Sequence, residues 1–358
     1  MFTFRDFIID MNYNLFNYNN ERIVTVPGVE PELVVKQMEK GLSALPMVLE
    51  DKMVLAYANK MVVLKEITTD TILWSRKLPD SMGDALLYKQ KIFLSNHSSL
   101  FVLDCNDGSL IAKIDHCSPN LVNAVVYDRY IIWPTFIDNE NQMITFDTEE
   151  MKVTGKKKLP GIASFMLLYK DAVILNSYPD KLYSMRAITG ELNWEQIITQ
   201  KNPAEEFVND YPFIMNNTVC LTLFPDTMKS YDLLTGEVKW EFKSGTGINS
   251  FAARFSNENE IAFFSGRTIF YLDSQNGELL KKIDLDMNSV VSSGTYQLSF
   301  SDKEKAVFYS YTLKKISVID LNTAKEITFF KLKAGVKYPP FIANNKLFVV
   351  DKDGNLYY

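Results

Sequence analysis

A unit of about forty residues recurs along this chain, and each copy places a tight turn between two strand-like segments. The clearest copies are SYDLLTGEVKW at Ser230–Trp240 and SMRAITGELNW at Ser184–Trp194. Weaker copies occur at Val62–Trp74, Leu100–Ile114, Ile144–Lys158, Ile269–Ile283 and Ile316–Phe330. A mostly strand-forming repeat of about forty residues is typical of a β-propeller, in which each repeat forms one blade.

Each unit divides into four short strand-like segments, of which the second marks the repeat most regularly. These second segments are near-continuous apolar runs, as expected of strands buried on both faces. They begin at Lys52, Lys91, Tyr130, Ala172, Val219, Ile261, Ala306 and Lys346. The sequence therefore predicts an all-β fold, an eight-bladed propeller of four-stranded antiparallel blades. Seven blades is the alternative if the third or the last unit is irregular.

The last unit stops one strand short of a full blade at Tyr358. Spare strand-like sequence near the N-terminus, either FTFRDFIID or NERIVTV, is predicted to supply that strand and close the ring. Pro31–Lys40 is predicted to be a short helix, because proline suits a first helical turn and Gly41 follows. We expect a single propeller domain over residues 1–358, with the closing strand and helix in 1–41 and the repeat blades in 42–358.

The turn of the clearest copy suggests how neighbouring blades pack. Gly236, after Thr235, supplies a positive φ, and Asp232 can accept hydrogen bonds from the turn. Trp240 is then placed to dock against the next blade. The stretch resembles the tryptophan-docking repeat of the PQQ-like, or quinoprotein-type, β-propeller family, Ala-x-Asp-x-x-Thr-Gly-x-x-x-Trp, with Ser230 in the alanine place.

Two further copies keep part of this pattern. Ser184, Thr189, Gly190 and Trp194 match it, with Arg186 in the aspartate place. Trp74 keeps the ring, although Thr69 and Asp70 stand for Thr-Gly. The resemblance implies the fold, and we expect the following residues to pack blades together rather than to bind a ligand: Trp74, Trp194, Asp232, Thr235, Gly236 and Trp240.

Charge and composition exclude several classes of partner. A net charge of −6 and a pI near 5.2 argue against nucleic-acid binding, which needs a basic surface. No stretch approaches eighteen uncharged apolar residues, so no membrane span is expected. The N-terminal sequence lacks a signal-peptide pattern, and the three cysteines, Cys105, Cys117 and Cys220, are an odd set that suggests free thiols. These features predict a cytoplasmic protein that is monomeric by itself.

An enzymatic role is not expected. The resemblance would imply a quinoprotein dehydrogenase, with adjacent cysteines over the quinone and Glu, Asn and Asp around calcium, but no two cysteines are adjacent here. We therefore predict no catalytic residue and no cofactor. A zinc site is the weaker alternative, because His97, His116 and Cys117 are expected on one face and histidine and thiolate bind zinc. Ordinary loop residues are the preferred interpretation of these three.

A protein-binding surface is the remaining interpretation. The loops from second to third strand, and from one blade to the next, are long and mix aromatic residues with acids and amides, as binding patches do. The insert Pro134–Gln142 and the stretch Thr199–Phe207 are the main examples. The predicted partner-binding residues are Phe136, Asp138, Glu140, Glu205, Glu206, Phe207, Asn249, Met287 and Tyr338.

The sequence thus predicts a non-catalytic scaffold that holds a protein or peptide. In blade number and length it resembles the propeller lipoprotein of the outer-membrane β-barrel assembly machinery, without the signal peptide and lipid-anchor cysteine. A cytoplasmic immunity-type protein that neutralises a toxin is one concrete version. The alternative is an enzyme or small-ligand-binding propeller that uses the central channel, although the expected channel-lining strands are mostly apolar or small.

Overall fold

The regular structure of this protein is entirely β in the part of the chain that a computed structural model describes. That part comprises residues 37–39, 41–44, 46–49, 51–121, 123–178, 181–199, 208, 212–246, 250–257, 259–265, 267–285, 296–301, 304–310, 314–337, 340–343 and 346–357. Within these ranges there is no helix of the length and apolarity that a membrane span requires. The strands form eight antiparallel sheets of four strands each, which confirms the predicted fold class.

The first compact unit spans Gly41–Gln196. Its four sheets, blades 1 to 4, are ordered as the chain runs. Strand β1 (Gln37–Glu39) precedes this unit and belongs to the second one. The strands of the first unit are β2 (Met47–Leu49), β3 (Lys52–Ala56), β4 (Met61–Glu66) and β5 (Ile72–Lys77) in blade 1; β6 (Asp84–Tyr88), β7 (Lys91–Ser95), β8 (Leu100–Asp104) and β9 (Leu110–Ile114) in blade 2; β10 (Val125–Tyr127), β11 (Tyr130–Ile137), β12 (Glu140–Asp147) and β13 (Lys152–Lys158) in blade 3; and β14 (Ile162–Tyr169), β15 (Ala172–Tyr178), β16 (Lys181–Arg186) and β17 (Leu192–Ile197) in blade 4.

The second compact unit contains Ile197–Tyr358 together with β1. It holds blades 5 to 8. Their strands are β18 (Phe213–Met215), β19 (Thr218–Leu223), β20 (Thr227–Asp232) and β21 (Val238–Lys243) in blade 5; β22 (Ser250–Asn257), β23 (Glu260–Ser265), β24 (Thr268–Asp273) and β25 (Leu279–Asp284) in blade 6; β26 (Tyr296–Ser301), β27 (Lys305–Ser310), β28 (Lys315–Asp320) and β29 (Lys325–Lys331) in blade 7; and β30 (Phe341–Ala343), β31 (Lys346–Val350), β32 (Leu356–Tyr357) and β1 in blade 8.

The second strand of each sheet forms the core, as predicted. Ile92, Phe93 and Leu94 on β7 are all fully buried, and the predicted starts of the second strands agree with the structure to within one residue. Fourth strands lie at the sheet edge, and the alternating exposure along β29 shows that only one of its faces is covered. The apolar periodicity of the sequence therefore places the core correctly.

Blade 8 is completed by a strand from the N-terminal region, as predicted for the strand that the last unit lacks. The segment differs from those we expected: β1 pairs with β32, with Gln37 opposite Tyr357. The helix predicted over Pro31–Lys40 is therefore wrong at Gln37–Glu39, because pairing with the open edge of β32 outweighs local helix propensity. FTFRDFIID and NERIVTV lie outside the described residues, and the division at residues 41 and 42 stays a prediction.

Tryptophan packing between neighbouring blades follows the predicted pattern. The Trp74 indole N–H of blade 1 donates to the Cys105 carbonyl of blade 2, at 2.9 Å. Trp240 of blade 5 donates to the Ser274 carbonyl of blade 6, at 3.3 Å. In both cases the ring covers a glycine of the neighbouring turn. A Cβ added to Gly108 would lie 2.7 Å from the Trp74 ring, and a Cβ added to Gly277 would lie 2.6 Å from the Trp240 ring. Trp74 and Trp240 thus each contact the turn of the next blade, and Trp194 is also buried.

Blade 3 has no tryptophan at this place. An added Cβ on Gly190 of blade 4 would lie 2.7 Å from Cγ of Lys157, on the fourth strand of blade 3. The aliphatic part of the lysine thus covers the glycine that an indole covers elsewhere, while its ammonium group stays exposed. The short run Lys156–Lys158 is accounted for by packing and by an exposed strand edge, where lysine opposes edge-to-edge pairing.

Aspartates hold the turns between third and fourth strands. Asp232 accepts hydrogen bonds from the backbone N–H groups of Leu234 (2.8 Å) and Thr235 (3.0 Å). Burial raises the pKa of Asp232, but these donors and Lys239 outweigh it and hold the pKa below its usual range. Asp320 accepts bonds from the N–H groups of Thr323 and Asn322, both at 2.8 Å, which lower its pKa.

Acid should therefore weaken the fold through these turns. A carboxyl group whose folded pKa is depressed contributes stability above its ordinary pKa of about 4, and this is lost as the pH falls through the folded pKa. In Asp320→Asn, the side-chain oxygen still accepts hydrogen bonds but does not titrate. We expect the stability difference between wild type and Asp320→Asn, measured by urea unfolding, to shrink from about pH 5 to pH 3. A difference that stays constant over that range would contradict this account.

Candidate partner-binding surface

The predicted insert Pro134–Gln142 is a β-hairpin rather than a loop. β11 and β12 pair over eight residues each, from Tyr130 opposite Asp147 to Ile137 opposite Glu140. Asp138 and Asn139 form the two-residue turn with φ values of 52° and 60°, as a type I′ turn requires. Asp and Asn tolerate this left-handed region better than most residues, so the local sequence favours the hairpin.

The end of the hairpin is exposed but braced from one side. Phe136 is 61% exposed, and Asp138 is exposed at the turn. Glu140 is half-buried and pairs with Lys158 of β13 at 2.7 Å. The Leu159 N–H donates to the Asn141 carbonyl at 2.7 Å, which adds a backbone contact on the same side. Phe136 is therefore presented to solvent on a hydrogen-bonded element rather than on an irregular loop.

Two loops of blade 2 adjoin this hairpin through hydrogen bonds. The Thr135 hydroxyl donates to the Ser118 carbonyl at 2.7 Å. The Ser118 hydroxyl in turn donates to the His97 carbonyl at 3.2 Å. His116 and Ser118 hold left-handed φ values of 58° and 40°, which turn the chain sharply between β9 and the segment leading to β10. We call the exposed residues at the end of this hairpin, Phe136, Asp138 and Asn139, the hairpin surface.

The weaker zinc interpretation gains no support from this geometry. His97 and His116 are exposed, whereas Cys117 is 2% exposed within the core that contains Trp133. Burial raises the pKa of the Cys117 thiol to about 11, so it is protonated at neutral pH. Asp115, the acidic residue next to His116, forms an ion pair with Lys113 at 2.7 Å. Across the described ranges, no three His, Cys, Asp or Glu side chains come together as a metal would need.

The remaining predicted partner-binding residues lie outside the described residues. They are Glu205, Glu206, Phe207, Asn249, Met287 and Tyr338. Their role in binding stays a prediction. Sequence reasoning missed Asn139, which the structure adds to the surface at the turn. It also missed the hydrogen bond between Thr135 and Ser118. The Asp138-Asn139 pair between strand-like segments was a usable signal for the turn.

Solved structures share this fold at low sequence identity. BamB from Moraxella catarrhalis matches with a TM-score of 0.67 and 12% identity, over 90% of this chain and 99% of that chain. The computationally designed Ika8 protein gives 0.67 and 13%, over 90% and 97%. A europium-containing methanol dehydrogenase gives 0.61 and 12%, over 95% and 87%. A search of curated protein sequences finds no match.

The residues of this chain do not fit the quinone cofactor that the resemblance to quinoprotein dehydrogenases would imply. The adjacent cysteines that would lie over a quinone are missing from the sequence, in which Cys105, Cys117 and Cys220 stand apart. All three cysteines are buried. Burial raises the pKa of Cys220 to about 12, as expected of a thiol that packs in a core rather than reacts.

The family profile described as outer membrane protein assembly factor BamB matches residues 168–358, more than half of the chain. This segment includes the two clearest repeat copies and every strand from β15 to β32. The BamB and dehydrogenase structures share the fold of this chain. The chain belongs to the BamB-like family of PQQ-like β-propellers.

Proposed function

We propose that this protein is a non-catalytic scaffold that binds a protein or peptide partner on its hairpin surface. The observation that carries the proposal is the exposure of Phe136. Among the described residues, every other large apolar side chain with comparable exposure lies on a fourth strand or in a turn before one. Phe136 lies on a second strand, at the end of the hairpin away from those turns, where no packing within the sheet requires an aromatic ring.

The chemistry around Phe136 suits a protein partner. An aromatic anchor surrounded by polar groups is the usual centre of a binding patch. Here the polar groups beside Phe136 at the end of the hairpin are the Asp138 carboxylate and the Asn139 amide. The family description names an assembly factor, which supports a role in holding other proteins. Cytoplasmic location and an immunity-type role stay predictions.

Affinity capture from the native cell tests the proposal. Phe136→Ala is expected to lose a partner that the tagged wild-type protein retains, because truncation of a central aromatic anchor costs about 2 kcal/mol or more of binding. Leu110→Ala is the matched control, since Leu110 is an exposed apolar residue of the same unit on the edge strand β9. Loss of the partner in both variants, or in neither, would contradict the proposed surface.

A further inference from the structure

Strand β11 is longer than β10, the first strand of blade 3, which pairs with one of its two edges. β10 pairs only with Tyr130–Ile132, whereas β12 pairs with β11 as far as Ile137. The residues from Trp133 to Ile137 therefore have a strand partner on one side only within the described part of the chain. An uncovered strand edge presents backbone donors and acceptors that another strand can use.

In the other blades with a first strand of three residues, a further residue pairs with the second strand beyond the end of the first strand. Blade 3 is the exception. In blades 1, 5 and 8, an isolated bridge extends the pairing: Leu42 with Tyr57, Val208 with Leu223, and Val336 with Asp351. By register, the equivalent pair in blade 3 would be Asn120 with Thr135. The described residues contain no such bridge, and Thr135 instead bonds Ser118 through its side chain.

The backbone bonds show the same contrast. In blade 1 the Ser43 N–H donates to the Ala56 carbonyl at 2.9 Å, and in blade 8 the Lys337 N–H donates to the Val350 carbonyl at 2.8 Å. Pro134 is the equivalent of Ala56 and Val350 by strand register. Within the described ranges, no backbone N–H bridges to the Pro134 carbonyl from outside the sheet.

Phe136 directs its backbone groups to this open edge. Its pairing partner Asn141 sends its carbonyl outward to the Leu159 N–H. In an antiparallel ladder, the two residues of such a pair both turn their backbone groups away from each other. The N–H and C=O of Phe136 therefore point away from β12, and no described backbone group outside the sheet bonds them.

We propose that this edge, Pro134–Ile137, binds an extended segment of the partner protein by β-strand addition. The Phe136 N–H and C=O and the Pro134 carbonyl form the backbone bonds, and the Phe136 ring packs on an apolar side chain of the segment. Because Pro134 has no N–H, the added strand is short, and a second contact on the hairpin surface completes the binding. This inference rests on the proposed function and specifies its mode of binding.

Hydrogen exchange of the free protein tests the open edge directly. The Phe136 amide is expected to exchange at least tenfold faster than those of Thr135 and Ile137, which turn toward β12. Equal protection of all three amides would overturn the proposal, because it would show that the edge is already covered.

Selection from a phage-displayed library of random nine-residue peptides tests the bonding. Selected peptides are expected to protect the Phe136 amide and to bind Phe136→Pro about tenfold more weakly than Phe136→Thr, because both variants lack the ring but only proline lacks the N–H. Circular dichroism of both variants checks that the fold is kept. Failure to select peptides, or equal binding by both variants, would overturn strand addition. A partner captured from cells that depends on the Phe136 ring alone would still support the scaffold.

Discussion

Gly277→Ala is expected to destabilise the protein by about 3 kcal/mol, more than most single substitutions. Two costs combine at this position. Gly277 has φ +73°, where a side chain costs roughly 1–2 kcal/mol. The new Cβ would also lie 2.6 Å from the ring of Trp240, and overpacking of this kind costs about 1–3 kcal/mol. The result would show that the Trp240 ring packs too closely on Gly277 to leave room for a Cβ.

A matched glycine separates the two costs. Gly245 has φ +68° in the same unit, but an added Cβ there meets nothing within 4 Å. Gly245→Ala should therefore lose only the backbone part, about 1–2 kcal/mol in urea unfolding. In a Trp240→Ala background, Gly277→Ala should also cost only this smaller amount. Equal losses at Gly277 and Gly245 in the wild-type background would show that the tryptophan contact does not matter.

Asp351→Ala should destabilise blade 8 by about 3 kcal/mol or more, because several buried donors lose their acceptor together. Asp351 is fully buried. Its carboxylate accepts bonds from the Asn355 amide at 2.7 Å, the Tyr357 hydroxyl at 2.9 Å and three backbone N–H groups. Asn355 and Tyr357 lead into and form β32, the strand that pairs with β1. The carboxylate thus fixes the geometry that closes this blade.

Graded variants check that assignment. Tyr357→Phe removes one bond to Asp351 and the acceptor for the Lys333 N–H (3.1 Å), so a loss of about 1–2 kcal/mol is expected. Asp320→Ala, at the more exposed turn between the third and fourth strands of blade 7, should cost less than Asp351→Ala. If urea unfolding gives Asp320→Ala and Asp351→Ala the same loss of stability, the burial of Asp351 and its hydrogen-bond donors contributes nothing. The account of blade 8 would then fail.

Most of the fold could be read from the sequence because one interaction repeats. Asp232, Gly236 and Trp240 each act within a single turn or blade contact, and the same spacing marks the other units that contain these residue types. The burial of second strands follows from apolar runs such as Ile92–Leu94. These signals are short-range, so they remain visible when distant parts of the chain are ignored.

The errors arose where distant residues decide the structure. Gln37–Glu39 carries helix-forming residues, but it pairs with β32 at the other end of the chain, which no local pattern shows. Pro134–Gln142 was predicted to be a loop because it mixes aromatic residues with acids and amides. The structure tolerates Pro134 in β11 because the edge that lacks its N–H has no strand partner. For the candidate surface, the sequence indicated Phe136 but not the open edge beside it.

Photo-crosslinking in the native cell tests the central claim most directly. A photoreactive phenylalanine analogue at position 136 reports contacts of the hairpin surface, and the same analogue at position 110 reports contacts of the edge strand β9. The account predicts one dominant crosslinked partner from position 136 and none from position 110. A partner crosslinked from position 110 alone, or from neither position, would contradict a scaffold that binds through the hairpin surface.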